Sequence, residues 1–499
     1  MIAGEFDVVV VGAGNAGLCA ALAAQQEGAR VLVLEAAPFE ERGGNSRYTA
    51  GALRFVYNGV EDLLKLCDLS EQELATSDFG TYTQDKYYDD LGRLTDYKSN
   101  PDLAELLITR SQETLLWMRS KGIRFAPMYS RQAFKHEGKF VFWGGLALEA
   151  WGGGPGLVEG LFKAAADNGI EVIYQARGEK LIADDDGVHG VIAKVEGKTT
   201  EIRAKAVVLA CGGFEANAEM RTRYLGPGWD LAKVRGTRFN TGNGIRMALE
   251  IGAMPYGNWS GCHAVGWDYN APEFGDLAVG DNFQKHSYPF AVMVNANGER
   301  FCDEGADFRN YTYAKYGREI LNQPHQFAWQ IFDQQVVHLQ RDEYRIRQVT
   351  KVTANTIEEL ADKMGEYAPV DKARFVQTIR DFNAAVQRDI PYNPTIKDGR
   401  CTKGLAIDKT NWAMPLEKPP FEAYCTTCGV TFTFGGLKID NDGRVLDIAQ
   451  QPIAGLYAAG ELVGGLFYFN YPGGTGLVSG SVFGKIAGTS AGRQARRNA

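Results

Sequence analysis

Phe6-Asp-Val-Val-Val-Val-Gly12-Ala-Gly14-Asn-Ala-Gly17-Leu-Cys-Ala-Ala-Leu22, followed by Val31-Leu-Val-Leu-Glu35, reads as a buried strand, a Gly-X-Gly-X-X-Gly turn, a helix and a second strand. A β-branched run feeding a helix of small residues suits a parallel sheet covered on both faces. Gly12 permits the tight turn, Gly14 lets a pyrophosphate approach the backbone, and Gly17 lets helix and strand pack closely. The helix start, at Asn15 and Ala16, offers unpaired amides and a positive dipole end to phosphates. Glu35 with Ala36, closing the second strand, is placed to meet a ribose diol. Strand, glycine turn, helix and acid together imply a dinucleotide site; the alternative is a glycine-tolerant βαβ unit with no ligand.

The chain has 499 residues, 45% of them hydrophobic, enough for two or three domains. With a net charge of −8 and dispersed lysines and arginines, nucleic acid is not an expected partner, although local basic sites for anionic substrates remain open. No apolar run approaches the ~18–20 residues of a membrane helix, and the first strand begins so early that no signal peptide is expected. The eight cysteines read as buried thiols of a cytoplasmic protein. Cys425-Thr-Thr-Cys428 has redox-motif spacing but no βαβ unit after it, so packing is expected there.

Further glycine-rich turns follow the first. Arg42-Gly-Gly-Asn-Ser-Arg-Tyr-Thr-Ala-Gly51 lies just beyond the ribose acid and can present amides along a long cofactor. Leu103 to Trp117 is amphipathic at helical spacing and is assigned to packing. Trp151-Gly-Gly-Gly-Pro-Gly156 leads into a helix, Leu157 to Asn168. A strand over 171–175 and alternation through 181–203 predict a small antiparallel insert. Ala206-Val-Val-Leu-Ala-Cys-Gly-Gly-Phe214 is another buried strand ending in glycines, where ligands of doubly wound sheets lie. Residues 262–430 are richer in aromatics and histidines, with helices around 356–390. Gly455-Leu-Tyr-Ala-Ala-Gly-Glu461 returns to the style of the first domain. After it, Gly464 to Gly480 precedes a small-residue helix expected to run to Gly488, with a frayed tail from Arg493. The chain is therefore read as α/β: a Rossmann-like, doubly wound cofactor domain (1–261 and 431–499) interrupted by an α+β capping domain (262–430), with substrate bound at the joint.

These motifs jointly resemble the FAD-binding family of soluble fumarate reductases and succinate dehydrogenase flavoprotein subunits over nearly the whole chain. The carriers are Gly12, Gly14 and Gly17 with Glu35; Gly43-Gly-Asn-Ser46; Ala210-Cys-Gly-Gly-Phe214; Asn240-Thr-Gly-Asn-Gly244; Val294-Asn-Ala-Asn-Gly-Glu-Arg-Phe301 with Glu304; Ala458-Ala-Gly-Glu461; and Pro472-Gly-Gly-Thr-Gly476. Phe308-Arg-Asn-Tyr-Thr-Tyr313 and Phe467-Tyr-Phe-Asn-Tyr-Pro-Gly-Gly474 look most like the tricarballylate dehydrogenase branch. The resemblance implies FAD held by Gly12 to Gly17, Glu35 and Ala36, with Arg42, Gly43, Gly44, Asn45, Ser46 and Gly51 along the flavin side. It extends the set to Ala176 at the adenine, Ala210, Gly212, Gly213, Asn240, Thr241 and Gly242, with Gly460 and Glu461 near the ribityl phosphate. Gly474, Thr475, Gly476 and Leu477 would aim a helix start at the flavin pyrimidine. Respiratory members attach FAD to a histidine in the 42–54 region; none stands there, so non-covalent FAD is expected.

The resemblance also assigns catalytic positions. His263 matches the first histidine of the cap and Arg309 the proton-donating arginine, with a one-residue offset; a cap salt bridge to Glu304 or Asp307 is the alternative for Arg309. The second histidine falls at Thr431 or Phe432 and the second arginine at Tyr471, so half of the dicarboxylate clamp is missing and fumarate or succinate is not the expected native substrate. Tyr471 also matches the Tyr-Pro-Gly turn of 3-ketosteroid dehydrogenases, whose hydroxyl polarises a carbonyl. Arg54 is a candidate second anion contact, whereas His286 and His325 have no motif support. The expected activity is FAD-dependent oxidation or reduction of a C–C bond beside a carboxylate or carbonyl. Polycarboxylates of the tricarballylate type come first, cyclic ketones or enones second, with a separate protein or quinone exchanging electrons. An electron-passing flavoprotein subunit is the rival class.

Overall fold

The computed structural model describes residues 5–142 and 144–497. Phe6–Val11 is the middle strand of a five-stranded parallel arrangement, in the order Pro452–Ala458, Lys198–Leu209, Phe6–Val11, Val31–Leu34, Glu171–Ile173. Val8, Val9 and Val10 are fully buried, as a valine run covered on both faces must be. Lys198–Leu209 serves two sheets. Its first half pairs antiparallel with Gly187–Val195, itself paired to Ala176–Asp184, and its second half runs parallel to Phe6–Val11. The expected antiparallel insert is therefore a three-stranded flap continuous with the main sheet. In register, Val11 stands opposite both Leu34 and Leu209, and Leu209 opposite Ala458. The carboxyl ends of these strands thus meet at one edge, where Gly12, Glu35, Ala210 and Gly460 follow them.

Helix Asn15–Gln26 packs against helix Thr475–Arg497. Gly484, Gly488 and Gly492 face Ala16, Ala20 and Ala24, and a Cβ at Gly488 would collide with the Ala20 backbone. This small-residue stripe corrects the frayed tail: the helix continues to Arg497, with Ala491 and Ala495 fully buried. The amphipathic stretch is helix Pro101–Ser120, its Leu103, Leu107 and Leu115 buried as expected.

The second layer is built on two long antiparallel strands, Pro255–Asp268 and Phe421–Leu437. Ala328–Phe332, Val292–Val294 and Lys351–Ala354 extend this sheet, and Lys233–Val234 pairs with Phe421–Leu437 in parallel. The divisions read from composition, 261/262 and 430/431, fall inside the two long strands. Their pairing is irregular between His263 and Ala264, a break of the kind that re-aims a side chain beside a functional site. Helix Arg309–Leu321 lies against them, and Gly317 permits this because a Cβ there would collide with Ala264. Cys425 and Cys428 are buried on this strand in different hydrophobic clusters. No described helix is long and apolar enough to cross a membrane.

Candidate functional site

An elongated cavity of about 1620 Å³, counting its solvent-open part, runs from the strand ends of the parallel sheet to the two long strands above. At one end it is lined by Gly12, Gly14, Asn15, Ala16, Glu35, Ala36, Gly44, Asn45, Ser46, Ala176, Ala210, Gly212, Asn240, Thr241, Gly460, Glu461, Gly474, Gly476 and Leu477. The sequence selected all of these. It also selected Gly17, Arg42, Gly43, Gly51, Gly213, Gly242 and Thr475, which the structure puts behind the wall. Gly17, Gly51 and Gly213 are packing glycines, where a Cβ would strike Gly12, Gly153 and Thr433 respectively. Gly43 and Gly242 adopt φ of 104° and 80°, left-handed turns that favour glycine. Thr475 Oγ1 accepts the Tyr87 hydroxyl at 3.2 Å. Arg42 is drawn away by Glu159, at 2.6 Å, and lies over the Phe39 ring.

The cradle is held by a few buried side chains bonded to the backbone around them. Glu35 accepts from the amides of Ala37 at 2.9 Å and Gly43 at 3.4 Å. Burial raises its pKa, against the lowering effect of those amides. Asn15 Nδ2 donates to the Leu477 carbonyl at 2.8 Å and to Ser481 Oγ at 3.0 Å, tying together the starts of the first and last long helices. Asn45 is bracketed: its Nδ2 donates to Glu215 Oε1 at 2.5 Å and to the Thr431 carbonyl at 2.8 Å, and its Oδ1 accepts from Thr237 N at 2.8 Å. Burial and then the charge of Glu461 push the Glu215 carboxyl well above the ordinary range. Glu461 is raised by burial as well, and its Oε1 accepts from Thr433 N at 2.7 Å.

The other end is lined by side chains. His263, Arg309 and Tyr471 are there, joined by Arg131, Arg235, Asp281, His286, Asn310 and Tyr313. The Tyr313 and Tyr471 hydroxyls are 2.6 Å apart. Burial raises both pKa values, so both stay protonated and the pair keeps one O–H free to donate. Burial, then the Arg235 charge, hold His263 well below its ordinary value; burial, then Arg309, do the same to His286. Each Nε2 is buried without a partner. His263 thus presents an unpartnered ring nitrogen to the cavity in surroundings that disfavour its charged form. Asn310 leaves both carboxamide atoms buried and unpartnered.

Arg309 donates to the Arg131 carbonyl at 2.7 Å. Its alternative partners are taken: Glu304 by Arg300 at 2.6 Å, and Asp307 by Arg93 at 2.8 Å. Arg54 is fully buried outside the cavity, bound to the carbonyls of Gly473 at 2.8 Å and Gly144 at 2.7 Å. It braces the last glycine turn, which corrects its reading as an anion contact. His325 is exposed and remote.

Glycine turns that leave no room for side chains, two helix starts and a buried ribose-type acid suit a dinucleotide, and the long cavity beyond them suits a flavin with its substrate. The class so defined is a flavoprotein oxidoreductase. The model of the FAD binding domain family matches residues 7–477, and the chain belongs to that family; FAD is its cofactor. It is 31% identical to the probable fumarate reductase Ifc3 of Shewanella frigidimarina, over 98% of this chain and 75% of that one. It is 28% identical to the NADH:fumarate oxidoreductase of Klebsiella pneumoniae, over 99% of this chain but 48% of that one, so it spans about half of that relative. Among solved structures, the open conformation of a flavocytochrome c3 fumarate reductase superposes with a TM-score of 0.72, at 28% identity over 99% of this chain and 79% of that one.

Proposed function

We propose that the protein dehydrogenates or reduces a carbon–carbon bond beside a carboxylate, with tricarballylate-like polycarboxylates as the substrate class. The observation that carries this reading is charge. Three arginines, Arg131, Arg235 and Arg309, line the substrate end with Asp281, whereas the cavity's other acids, Glu35 and Glu461, belong to the cradle. Surplus buried cations are expensive without anions, and a substrate with several carboxylates offsets them.

The residues divide the work. Gly12 to Ala16, Glu35 and Asn45 to Ser46 would hold FAD, and the helix start at Gly474, Gly476 and Leu477 would face negative charge on the flavin ring. Bound FAD supplies hydride exchange with the substrate carbon. Arg309 would hold or deliver the proton at the neighbouring carbon. Burial lowers its pKa, opposed by the charge of Glu343 and reinforced by Arg131, which moves the guanidinium toward acid–base use. His263 and His286 would bond carboxylate oxygens through their unpartnered nitrogens. Electrons would be exchanged with a separate protein or quinone, a role supported by the likeness to the flavocytochrome c3 fumarate reductase. A cytoplasmic setting belongs to the same reading, supported by eight free cysteines.

The Tyr313–Tyr471 pair favours one second reading, in which its free O–H polarises the carbonyl of a cyclic ketone. Anaerobic bleaching of the flavin across polycarboxylates and cyclic ketones tests both. Bleaching by tricarballylate is the expected result. Bleaching by the ketones alone transfers the assignment to the second reading; no bleaching by either, together with no reoxidation of chemically reduced flavin by the unsaturated counterparts, overturns both.

A further inference from the structure

The resemblance to fumarate reductases leaves two clamp groups missing, at Thr431 or Phe432 and at Tyr471. In space the gap is filled from elsewhere in the chain. Arg235, just past the Lys233–Val234 strand, donates from a terminal nitrogen to Thr431 Oγ1 at 3.3 Å. Its backbone amide is fixed to the Val430 carbonyl at 2.8 Å. The same guanidinium binds Asp281 Oδ1 through Nε at 2.7 Å and through its other terminal nitrogen at 2.6 Å. Arg131 binds Asp281 Oδ2 at 2.8 Å and the Asn282 side chain at 3.1 Å. All three charged groups line the cavity, Arg235 and Asp281 being 7% and 6% exposed.

A structural ion pair needs one cation for its carboxylate. Here one carboxylate orients two guanidiniums and leaves a positive charge over, facing the cavity in a fixed geometry. We propose that Arg235 and Arg131, bridged by Asp281, form a carboxylate subsite that replaces the missing half of the clamp and selects polycarboxylates over monocarboxylates. The subsite rests on the polycarboxylate reading above, with Arg309 holding the other end of the substrate. The charge of Arg235 also reaches His263, Tyr313 and Tyr471, so an anion bound there would lie among the substrate-facing groups.

The test is titration of the oxidised holoenzyme with citrate and with propionate, read by perturbation of flavin absorption, with thermal melts as a folding control. Wild type should bind citrate more tightly than propionate. Arg235→Gln should weaken citrate by about 10- to 100-fold, the range for a lost hydrogen bond to a charged group, and leave propionate and FAD content unchanged. Arg131→Gln should act the same way, more weakly. Asp281→Asn should move in the opposite direction and tighten citrate, because the carboxamide oxygen still accepts from Arg235 where Oδ1 does while the competing negative charge is gone. If Arg235→Gln does not fold, Arg131→Gln and Asp281→Asn decide. Unchanged citrate binding, equal losses for citrate and propionate, or weaker citrate binding in Asp281→Asn overturns the subsite. If wild type is bleached by tricarballylate while the variants behave in one of those ways, only the subsite fails; if wild type binds no polycarboxylate, the functional reading fails with it.

Discussion

The two ends of one cavity are made by opposite means. The cofactor cradle is largely backbone and small side chains, with Gly12, Glu35, Ala176, Ala210 and Gly460 each following a strand of one sheet. The substrate end is a cluster of long polar side chains delivered by segments as distant as Arg131, Arg235, His263, Asp281, Arg309 and Tyr471. A cradle built from absence of side chains tolerates almost no added atoms, whereas a cluster of charges is altered group by group. The cradle should therefore fail all at once and the cluster by degrees.

The most severe expected effect is in the cradle. Gly17→Val puts side-chain atoms into the Gly12 backbone, and protein purified from this variant should carry no FAD; a yellow protein with normal flavin content breaks the comparison. Next, Arg309→Lys should retain FAD yet lose turnover by a factor on the order of 10³, the scale of deleting a preorganised charge-stabilising donor. Anaerobic flavin reduction by tricarballylate measures it. Glu35→Ala is expected to weaken FAD by ~1.5–3 kcal/mol, measurable as flavin released on dilution.

The pH dependence of stability should carry opposite signs at the two ends. Glu35, Glu215 and Glu461 have raised folded pKa values. Their contribution is full below the unfolded value of 4.5 and is lost as pH rises through the folded values. His263 and His286 are lowered from 6.5, so their contribution is present above that pH and lost as pH falls. Thermal melts of apoprotein should show His286→Asn flattening the acid-side loss below pH 6.5 and Glu215→Gln flattening the loss above pH 4.5; the reverse pairing contradicts the burial argument. Smallest of all, Tyr471→Phe should slow polycarboxylate turnover by less than about tenfold, since Tyr313 retains its hydroxyl. A larger loss moves weight to the carbonyl reading.

The same contrast explains what could be read beforehand. Glycines such as Gly12 and Gly14 are dictated by local geometry, so their spacing announces the turn, and nineteen of the residues selected for the cradle line the cavity. Arg42 and Gly51 belong to the same loop but lie behind the wall, because half of that loop packs inward. At the substrate end, Arg131, Arg235 and Asp281 sit in no motif, because a guanidinium's usefulness depends on which strand happens to bring it within reach of Asp281. His286 lacked any local signal for the same reason. Arg54 shows the converse error: a cation adjacent in sequence to the flavin loop was spent on the carbonyls of Gly473 and Gly144. The helical tail is legible in the sequence: glycines at a spacing of four from Gly480 to Gly492 mark a continuous face packed on the first helix.

That glycine-spaced contact joins helices roughly 450 residues apart in the chain. During synthesis, at ~5–20 residues per second, the Asn15–Gln26 helix therefore waits on the order of 20–90 s for its partner. Throughout that interval its alanine face and the first glycine turn stand open on the ribosome. The cofactor fold is thus completed only when its last helix is made, and a chain broken off before Thr475 keeps the nucleotide fingerprint intact in sequence and unfinished in space.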